Sequence, residues 1–265
     1  MSAEQQQPQQ PLDPYAEARM TVLEHLSELR KRVGWALFGV LVGFAFSWTF
    51  VEVIFDFLLG PLRVATEDQT LSQMHHKDLT EPFFVLLKTA IFSGVFFAAP
   101  WILAQMWMFI APALYDNEKK VVMPFTVIAT LFFLGGTSFC FYLVMPYGYK
   151  FLLDFSLEVS KPELMMNEYL ALTTKLILGF GFIFEMPVFS MFLSSVGVLT
   201  HRHLLKFWRY SVVIAFIIAA MLTPPDVVTQ TMMAVPLVFL YFVSVLVAWF
   251  FTTCLLYTSD AADDN

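Results

Sequence analysis

The chain has 265 residues, of which 58% are hydrophobic and 14% are charged, and its net charge is −7. Its mean hydropathy of +0.68 excludes an ordinary soluble domain and indicates an all-α protein that crosses a membrane several times. With only two cysteines, neither a disulfide framework nor a cysteine-based metal site is expected.

The N-terminal region divides into two segments. Residues 1–18 are polar and rich in Gln and Pro, which predicts a disordered arm. Residues 19–32 place apolar side chains at every third position, which predicts an amphipathic helix that lies on the membrane surface and leads into the first span.

Six apolar stretches predict six spans, at residues 33–59, 82–114, 121–146, 169–196, 211–222 and 227–251. Polar connections are predicted at residues 60–80, where Gly60-Pro61 ends the first span, and at residues 147–168. The fifth stretch is short, because about twelve residues of helix cover only about 18 Å of a hydrocarbon core that is about 30 Å thick.

Six spans place both termini on the same side of the membrane. Nine Lys and Arg residues fall on that side and six on the other, and the nine cluster at short loops. Because cytoplasmic loops carry the excess of Lys and Arg, both termini are predicted to be cytoplasmic. We expect residues 19–252 to form one membrane domain and residues 253–265, whose charged groups are all acidic, to be a non-native tail.

Glu185 lies in the middle of an apolar run, residues 176–196, and therefore near mid-depth of a bilayer. A charge at that depth costs roughly 2.5–3.5 kcal/mol on insertion scales. Pro187 follows two residues later and predicts a bend in the helix. Two interpretations stay open: a neutral carboxyl group that is hydrogen-bonded inside the helix bundle, or a functional polar site.

No constellation typical of an enzyme is present in the sequence. It contains no phosphate-binding Gly-Lys loop, no nucleotide-binding fingerprint and no His-Glu-x-x-His motif. His75 and His76 are neighbours in a polar connection, and His201 and His203 lie among cations, so neither pair predicts a metal site. We expect no catalytic activity, no cofactor and no metal.

Two acids on the predicted cytoplasmic side, Glu28 and Glu118, lie among Arg and Lys residues. One interpretation is local pairing, of Glu28 with Arg32 four residues later or of Glu118 with Lys119. The other is a site for a cationic peptide, because a carboxylate binds a guanidinium group through two parallel hydrogen bonds. The spacing does not choose between them.

Several motifs occur in a fixed order: His25 to Arg32 with Glu28 and Arg30, Glu81-Pro82-Phe83-Phe84, Pro100 to Lys119 with Phe109 and Pro112, Phe184-Glu185-x-Pro187, Arg209-Tyr210, Leu222 to Gln230 with Pro224-Pro225-Asp226, and Pro236. Over about residues 23–247 the chain therefore resembles the TatC family, the receptor and core subunit of the twin-arginine protein translocase.

The resemblance implies a fold, a function and partners. The family fold is a curved, cupped wall of six transmembrane helices. The family binds twin-arginine signal peptides on the cytoplasmic face and exports folded proteins across the bacterial cytoplasmic (inner) membrane, using the proton gradient and hydrolysing no nucleotide. The implied partners are TatA- and TatB-type single-span subunits, the cargo, the lipid bilayer and further copies of the chain in a receptor complex, but no nucleic acid.

The resemblance also implies roles for individual residues. The acids matching Glu28 and Glu118 bind the paired arginines of the signal peptide, on a surface that includes Leu26, Arg30 and Phe109. The intramembrane polar site, which faces a concave groove and contacts partner subunits, comprises Glu185, Pro187 and Gln230. The structural positions are Pro61, Pro100, Pro112, Pro224, Pro225 and Asp226.

One departure limits what carries over from the family. Many members have an acid where this chain has Phe242, so a partner contact made by that acid is not expected here.

Two other functions fit the composition. A proton-coupled solute transporter would use Glu185 as a relay and would show an inverted repeat between its halves, of which the charges and prolines give no convincing sign. A structural membrane scaffold would bind no signal peptide.

Overall fold

The structure is a computed structural model that describes residues 22–66, 78–110, 119–159, 165–223 and 226–263. Within these ranges the chain is helical and contains no β-strand. Six described helices or helix pairs are long and apolar enough to cross a membrane: His25–Thr49, Glu81–Ile110, Met123–Ser156, Met166–Ser195, His201–Leu222 and Val227–Phe251. The prediction of six spans is confirmed, whereas the predicted arm at residues 1–18 lies outside the described residues.

The helices, in chain order, are α1 Val22–Thr49, α2 Val51–Leu58, α3 Gly60–Thr66, α4 Glu81–Ile110, α5 Lys119–Phe139, α6 Met145–Val159, α7 Met166–Phe184, α8 Met186–Ser195, α9 His201–Leu222 and α10 Val227–Asp263. A π-helical turn, Cys140–Val144, joins α5 to α6.

Helix α1 differs from the sequence prediction. The prediction of a surface helix that precedes the first span is wrong, because α1 is one continuous helix of 28 residues, about 42 Å long. No proline interrupts it, and breaking a helix between two favourable segments would leave backbone groups unpaired. Leu23 and Leu26, in its first turns, are exposed.

The ends of the first and third spans were also predicted wrongly. Gly60-Pro61 does not stop the helical structure, since Pro61 is the second residue of α3, where a helix does not need its N–H group. The predicted polar connection at residues 147–168 is largely helical, because α6 continues the third span to Val159. Because α6 contains several polar residues, hydropathy alone does not predict this helix.

The fifth span is longer than predicted. Helix α9 has 22 residues rather than about twelve, and so measures about 33 Å. Its first turns carry Arg202, Lys206 and Arg209, which end the apolar run without ending the helix. The apolar part alone is short, as predicted.

The fourth span is broken where Glu185 lies. Helix α7 ends at Phe184 and α8 begins at Met186, with Pro187 in the first turn of α8. Glu185 donates its backbone N–H to the Phe182 carbonyl at 3.1 Å, and its own carbonyl accepts from Phe189 at 3.0 Å. The predicted bend near Pro187 is confirmed, because proline cannot donate the hydrogen bond that would continue the helix.

Helices α1 and α4 pack closely through small residues. A Cβ atom added to Gly94 would lie 2.7 Å from the backbone nitrogen of Phe44, and one added to Gly43 would meet the Gly94 carbonyl. Ala90 and Ala98 are buried four residues before and after Gly94 on α4. Small residues at such spacing let two backbones approach. This packing sets the distance between the side chains that project from the two helices.

Two buried clusters hold the remaining helices together. The larger one joins α2, α3, α4, the π-turn and α6 to α7, α9 and α10, and it includes Phe180, Met145 and Leu62. The smaller one joins α4, α5 and α8 around Trp107, which is 1% exposed. Helices α7 and α8 are therefore largely buried among the other described helices, while most of α1 and α9 is exposed.

Candidate functional sites

A charged cluster joins α1 to α4 near the start of α1; Glu28, Arg32, Gln105 and Met108 form this Arg32 cluster. Arg32 Nη2 donates to Glu28 Oε1 at 3.1 Å, one helical turn away. Arg32 Nη1 donates to Gln105 Oε1 at 3.4 Å and approaches Met108 Sδ at 3.4 Å. A guanidinium–carboxylate pair is thus held against the side of a neighbouring helix.

The Arg32 cluster is partly exposed to solvent and partly buried. The side chains of Arg32 and Glu28 retain 25% and 21% of their accessible surface. Gln105 is only 4% exposed. Arg32 Nε is buried and has no hydrogen-bond partner among the described residues. Of the two interpretations of Glu28, local pairing with Arg32 is therefore present in the structure.

An aromatic contact lies beside this cluster. The rings of His25 on α1 and Phe109 on α4 stack with their centroids 4.4 Å apart. Leu26 and Arg30, on the same turns of α1, are exposed. The structure therefore brings Glu28 and Phe109 to one end of the α1–α4 pair, with Leu26 and Arg30 on accessible surface nearby.

Glu118, the second acid of the predicted site, lies outside the described residues, as does Pro112. The described part of α4 ends at Ile110 and α5 begins at Lys119.

Glu185 forms the second candidate site. Its side chain is 1% exposed, and neither Oε1 nor Oε2 has a hydrogen-bond partner among the described residues. This buried carboxyl group lies at the break between α7 and α8. An isolated carboxylate there would be very costly, so the group must be protonated, hydrated or paired with a group outside the described residues.

The other residues of the expected intramembrane site have different surroundings. Pro187 is buried at the start of α8. Gln230 Nε2 donates to the Phe216 carbonyl at 3.1 Å, which ties α10 to α9. No described hydrogen bond joins either residue to Glu185.

Among the expected structural positions, Asp226 has clear local contacts. Asp226 caps α10, because its Oδ1 accepts from the Thr229 N–H at 2.7 Å and its Oδ2 contacts the Thr229 hydroxyl. Pro100 lies inside α4. Pro224 and Pro225 lie outside the described residues.

An ion pair lies beyond the far end of the first span, which ends at Thr49. Arg63 on α3 donates through both terminal nitrogens to the two carboxylate oxygens of Asp56 on α2. This hydrogen-bonded guanidinium lowers the pKa of the Asp56 carboxyl below its ordinary value. Nearby, Tyr169 on α7 donates to the Leu58 carbonyl at 2.6 Å and fixes α2 against α7.

No group of three or more His, Cys, Asp or Glu side chains in the described ranges could hold a metal ion.

The length and hydropathy of the helices place the chain in the class of polytopic helical membrane proteins. A family model described as Sec-independent protein translocase protein (TatC) matches residues 24–236, so the chain belongs to the TatC family. The resemblance drawn from the motifs is therefore confirmed, and the chain is a component of a Sec-independent protein translocase.

Relatives of this family share most of the chain. The TatC protein of Desulforapulum autotrophicum is 40% identical over 230 residues, which cover 87% of this chain and 84% of the relative. That of Koribacter versatilis is 38% identical over 252 residues, covering 91% and 93%. That of Aquifex aeolicus is 37% identical over 228 residues, covering 85% and 93%.

Solved structures agree with the fold. A crystal structure of the twin arginine translocase receptor TatC is 36% identical, covers 85% of this chain and 98% of its own, and superposes with a TM-score of 0.75. The same receptor in DDM gives a TM-score of 0.76 at 36% identity, covering 85% of this chain and 99% of its own. The expected six-helix TatC fold is confirmed.

Proposed function

We propose that this chain is the signal-peptide receptor of a twin-arginine translocase and that Glu28 and Glu118 bind the paired arginines of the signal peptide. Leu26, Arg30 and Phe109 complete the docking surface. One observation carries the proposal: Glu28 already binds a guanidinium group, that of Arg32, at 3.1 Å on a partly exposed surface. The carboxylate is therefore accessible and positioned for this chemistry.

The surroundings of Glu28 suit a peptide as well as a charge. A signal peptide follows its arginines with apolar residues, and Leu26 offers an apolar side chain that is 54% exposed. The stacked rings of His25 and Phe109 lie nearby, and an aromatic ring can pack against a guanidinium plane or an aliphatic side chain. Glu118, which follows α4, supplies the second carboxylate in this proposal.

For the intramembrane site we propose that Glu185 contacts single-span TatA- and TatB-type partners. Its support is the burial of a carboxyl group whose oxygens have no partner among the described residues of a single chain. A polar side chain of a partner helix would satisfy it. Export would use the proton gradient, and the receptor would contain several copies of the chain.

We also propose that both termini are cytoplasmic in a bacterial inner membrane, which places Glu28 on the side where signal peptides arrive. The excess of Lys and Arg on the terminus side supports this orientation. Labelling of single cysteines at residues 30 and 78 with a membrane-impermeant thiol reagent tests it. Labelling of position 30 in intact spheroplasts would contradict the orientation.

The docking site is tested by photo-cross-linking. A photoreactive amino acid replaces Leu26, and cross-links to a twin-arginine signal peptide are compared in the parent and in Glu28→Gln and Glu118→Gln variants. Both substitutions are expected to weaken cross-linking, because an amide cannot form a charge-assisted bidentate pair. Unchanged cross-linking in both variants would refute the docking site.

The partner site is tested separately with Glu185→Ala and Glu185→Gln. Loss of co-purification with single-span subunits is expected for alanine, with partial retention for glutamine, which can still hydrogen-bond. An alanine variant that assembles and exports normally would show that Glu185 has only a packing role.

A further inference from the structure

The carboxylate proposed to receive the signal peptide is occupied by the chain itself. Arg32 Nη2 donates to Glu28 Oε1, and an incoming arginine would need the same carboxylate. Because Arg32 holds Oε1, an incoming guanidinium group cannot bind both carboxylate oxygens until Arg32 releases it. We infer that Arg32 is an internal competitor for Glu28 and that it lowers the affinity of signal-peptide docking. This inference rests on the proposed function.

Arg32 retains other hydrogen-bond acceptors when it releases Glu28. Its other terminal nitrogen, Nη1, bonds to Gln105 Oε1 and lies near Met108 Sδ, both on α4. Gln105 is buried, so its amide is fixed by the helices around it. The guanidinium can therefore stay against α4 while Glu28 turns to the peptide, and the exchange leaves no buried charge without an acceptor.

The pair between Arg32 and Glu28 is also weak enough to exchange. Both side chains are partly solvated, and partly solvated ion pairs one helical turn apart contribute little to stability. Arg32 Nε has no hydrogen-bond partner among the described residues, so the cluster does not satisfy every donor of this guanidinium. A better-matched ligand can displace such a contact.

A competitor of this kind acts most strongly on a ligand that needs both carboxylate oxygens. An arginine that binds Glu28 in the bidentate mode must displace Arg32 from Oε1. A lysine offers a point charge without the planar fork, and it can bind the remaining oxygen without displacing Arg32. Removing Arg32 should therefore help a twin-arginine ligand more than a twin-lysine ligand.

The experiment measures equilibrium binding of two fluorescent synthetic signal peptides, one with twin arginines and one with twin lysines, to the purified chain in detergent. Arg32→Gln is expected to bind the twin-arginine peptide about three- to fivefold more tightly than the parent. It should bind the twin-lysine peptide with a smaller relative gain, so that the discrimination in favour of the twin-arginine peptide rises. Weaker or unchanged binding of the twin-arginine peptide by Arg32→Gln would overturn the inference.

The matched control is Lys31→Gln, which removes the same charge from the neighbouring exposed position. Its effect on cationic peptides is long-range, so it should be smaller and should fade as salt is added. The effect of Arg32→Gln should fade less, because its contact with Glu28 is shorter than the screening length. Equal effects that fade together would mean that only net charge matters, and would overturn the inference.

A double-mutant cycle separates this inference from the proposed function. In a Glu28→Gln background, Arg32→Gln should no longer strengthen binding, because the contested carboxylate is gone. If Glu28→Gln weakens binding but Arg32→Gln does not strengthen it, the docking site stands and the competitor fails. If Glu28→Gln leaves binding unchanged, the proposed function itself fails.

A second variant covers the case in which Arg32→Gln does not fold. Arg32→Lys keeps the positive charge beside Gln105 and loses the fork that reaches Gln105 and Glu28 at the same time. It should give an intermediate gain in affinity for the twin-arginine peptide. No gain with a well-folded Arg32→Lys variant would overturn the inference.

Discussion

Replacing Gly94 by alanine should separate α1 from α4. A Cβ atom at this position would lie 2.7 Å from the Phe44 nitrogen and 2.8 Å from the Phe44 Cα atom. An ordinary van der Waals contact begins near 3.4 Å, so the new atom lies about 0.7 Å too close to backbone that cannot rotate away. The two helices must move apart by a similar distance.

The cost of that movement can be worked out from the packing. A gap of about 0.5–1 Å forfeits roughly a quarter to a half of the dispersion energy of each contact that it opens. Overpacking of this kind typically costs about 1–3 kcal/mol. Alanine also stabilises a helix by up to about 1 kcal/mol relative to glycine, which partly offsets the loss.

A matched control removes the helix-propensity effect. Gly34 lies on α1, and a Cβ atom there would meet no atom within 4 Å. Thermal unfolding in detergent, followed by tryptophan fluorescence, compares the parent with Gly34→Ala and Gly94→Ala. We expect Gly34→Ala to melt at or above the parent, and Gly94→Ala to be less stable than Gly34→Ala by about 1–3 kcal/mol. Equal or higher stability of Gly94→Ala would refute the close-packing argument.

Three further changes test local contacts. Asp226→Ala should destabilise the chain by about 0.5–2 kcal/mol and speed amide exchange in the first turn of α10, whereas Asp226→Asn should lose less. Tyr169→Phe, measured by thermal unfolding, should cost about 1–2 kcal/mol because the Leu58 carbonyl loses its donor, while the exposed Tyr142→Phe should have little effect. Asp56→Asn should lower the melting temperature slightly at neutral pH. Since Arg63 lowers the pKa of Asp56, the difference should persist above the ordinary value of 3.8 and vanish as pH falls below it; a difference that grows in acid would contradict this.

The sequence predicted the number of spans well because each span is a long apolar run, and such runs have few alternatives to crossing a bilayer. It predicted helix ends poorly. In α9, Arg202, Lys206 and Arg209 interrupt the hydropathy but not the backbone hydrogen bonds. In α3, Gly60-Pro61 has the composition of a turn, yet Pro61 occupies a position where proline is compatible with a helix.

The candidate sites were only partly accessible to sequence reasoning. Glu28 and Arg32 are one turn apart, so their pairing could be anticipated from spacing. The bond between Arg32 and Gln105 could not, because 73 residues separate the two positions. The close packing of Gly43 on Gly94 could have been predicted from the sequence. Small residues are spaced four apart on both helices, as is typical of packed membrane helices: Gly39 and Gly43 on α1, and Ala90 and Gly94 on α4.

The most direct test of the central proposal is the affinity of the purified chain for a twin-arginine signal peptide, measured against Glu28→Gln, Glu118→Gln and the control Lys31→Gln. If the two carboxylates bind the two arginines, each Glu→Gln variant should lose affinity by about tenfold, or 1.4 kcal/mol, and should discriminate less against a twin-lysine peptide. Lys31→Gln should not lose affinity. Parental affinity and parental discrimination in both Glu→Gln variants would contradict the proposal.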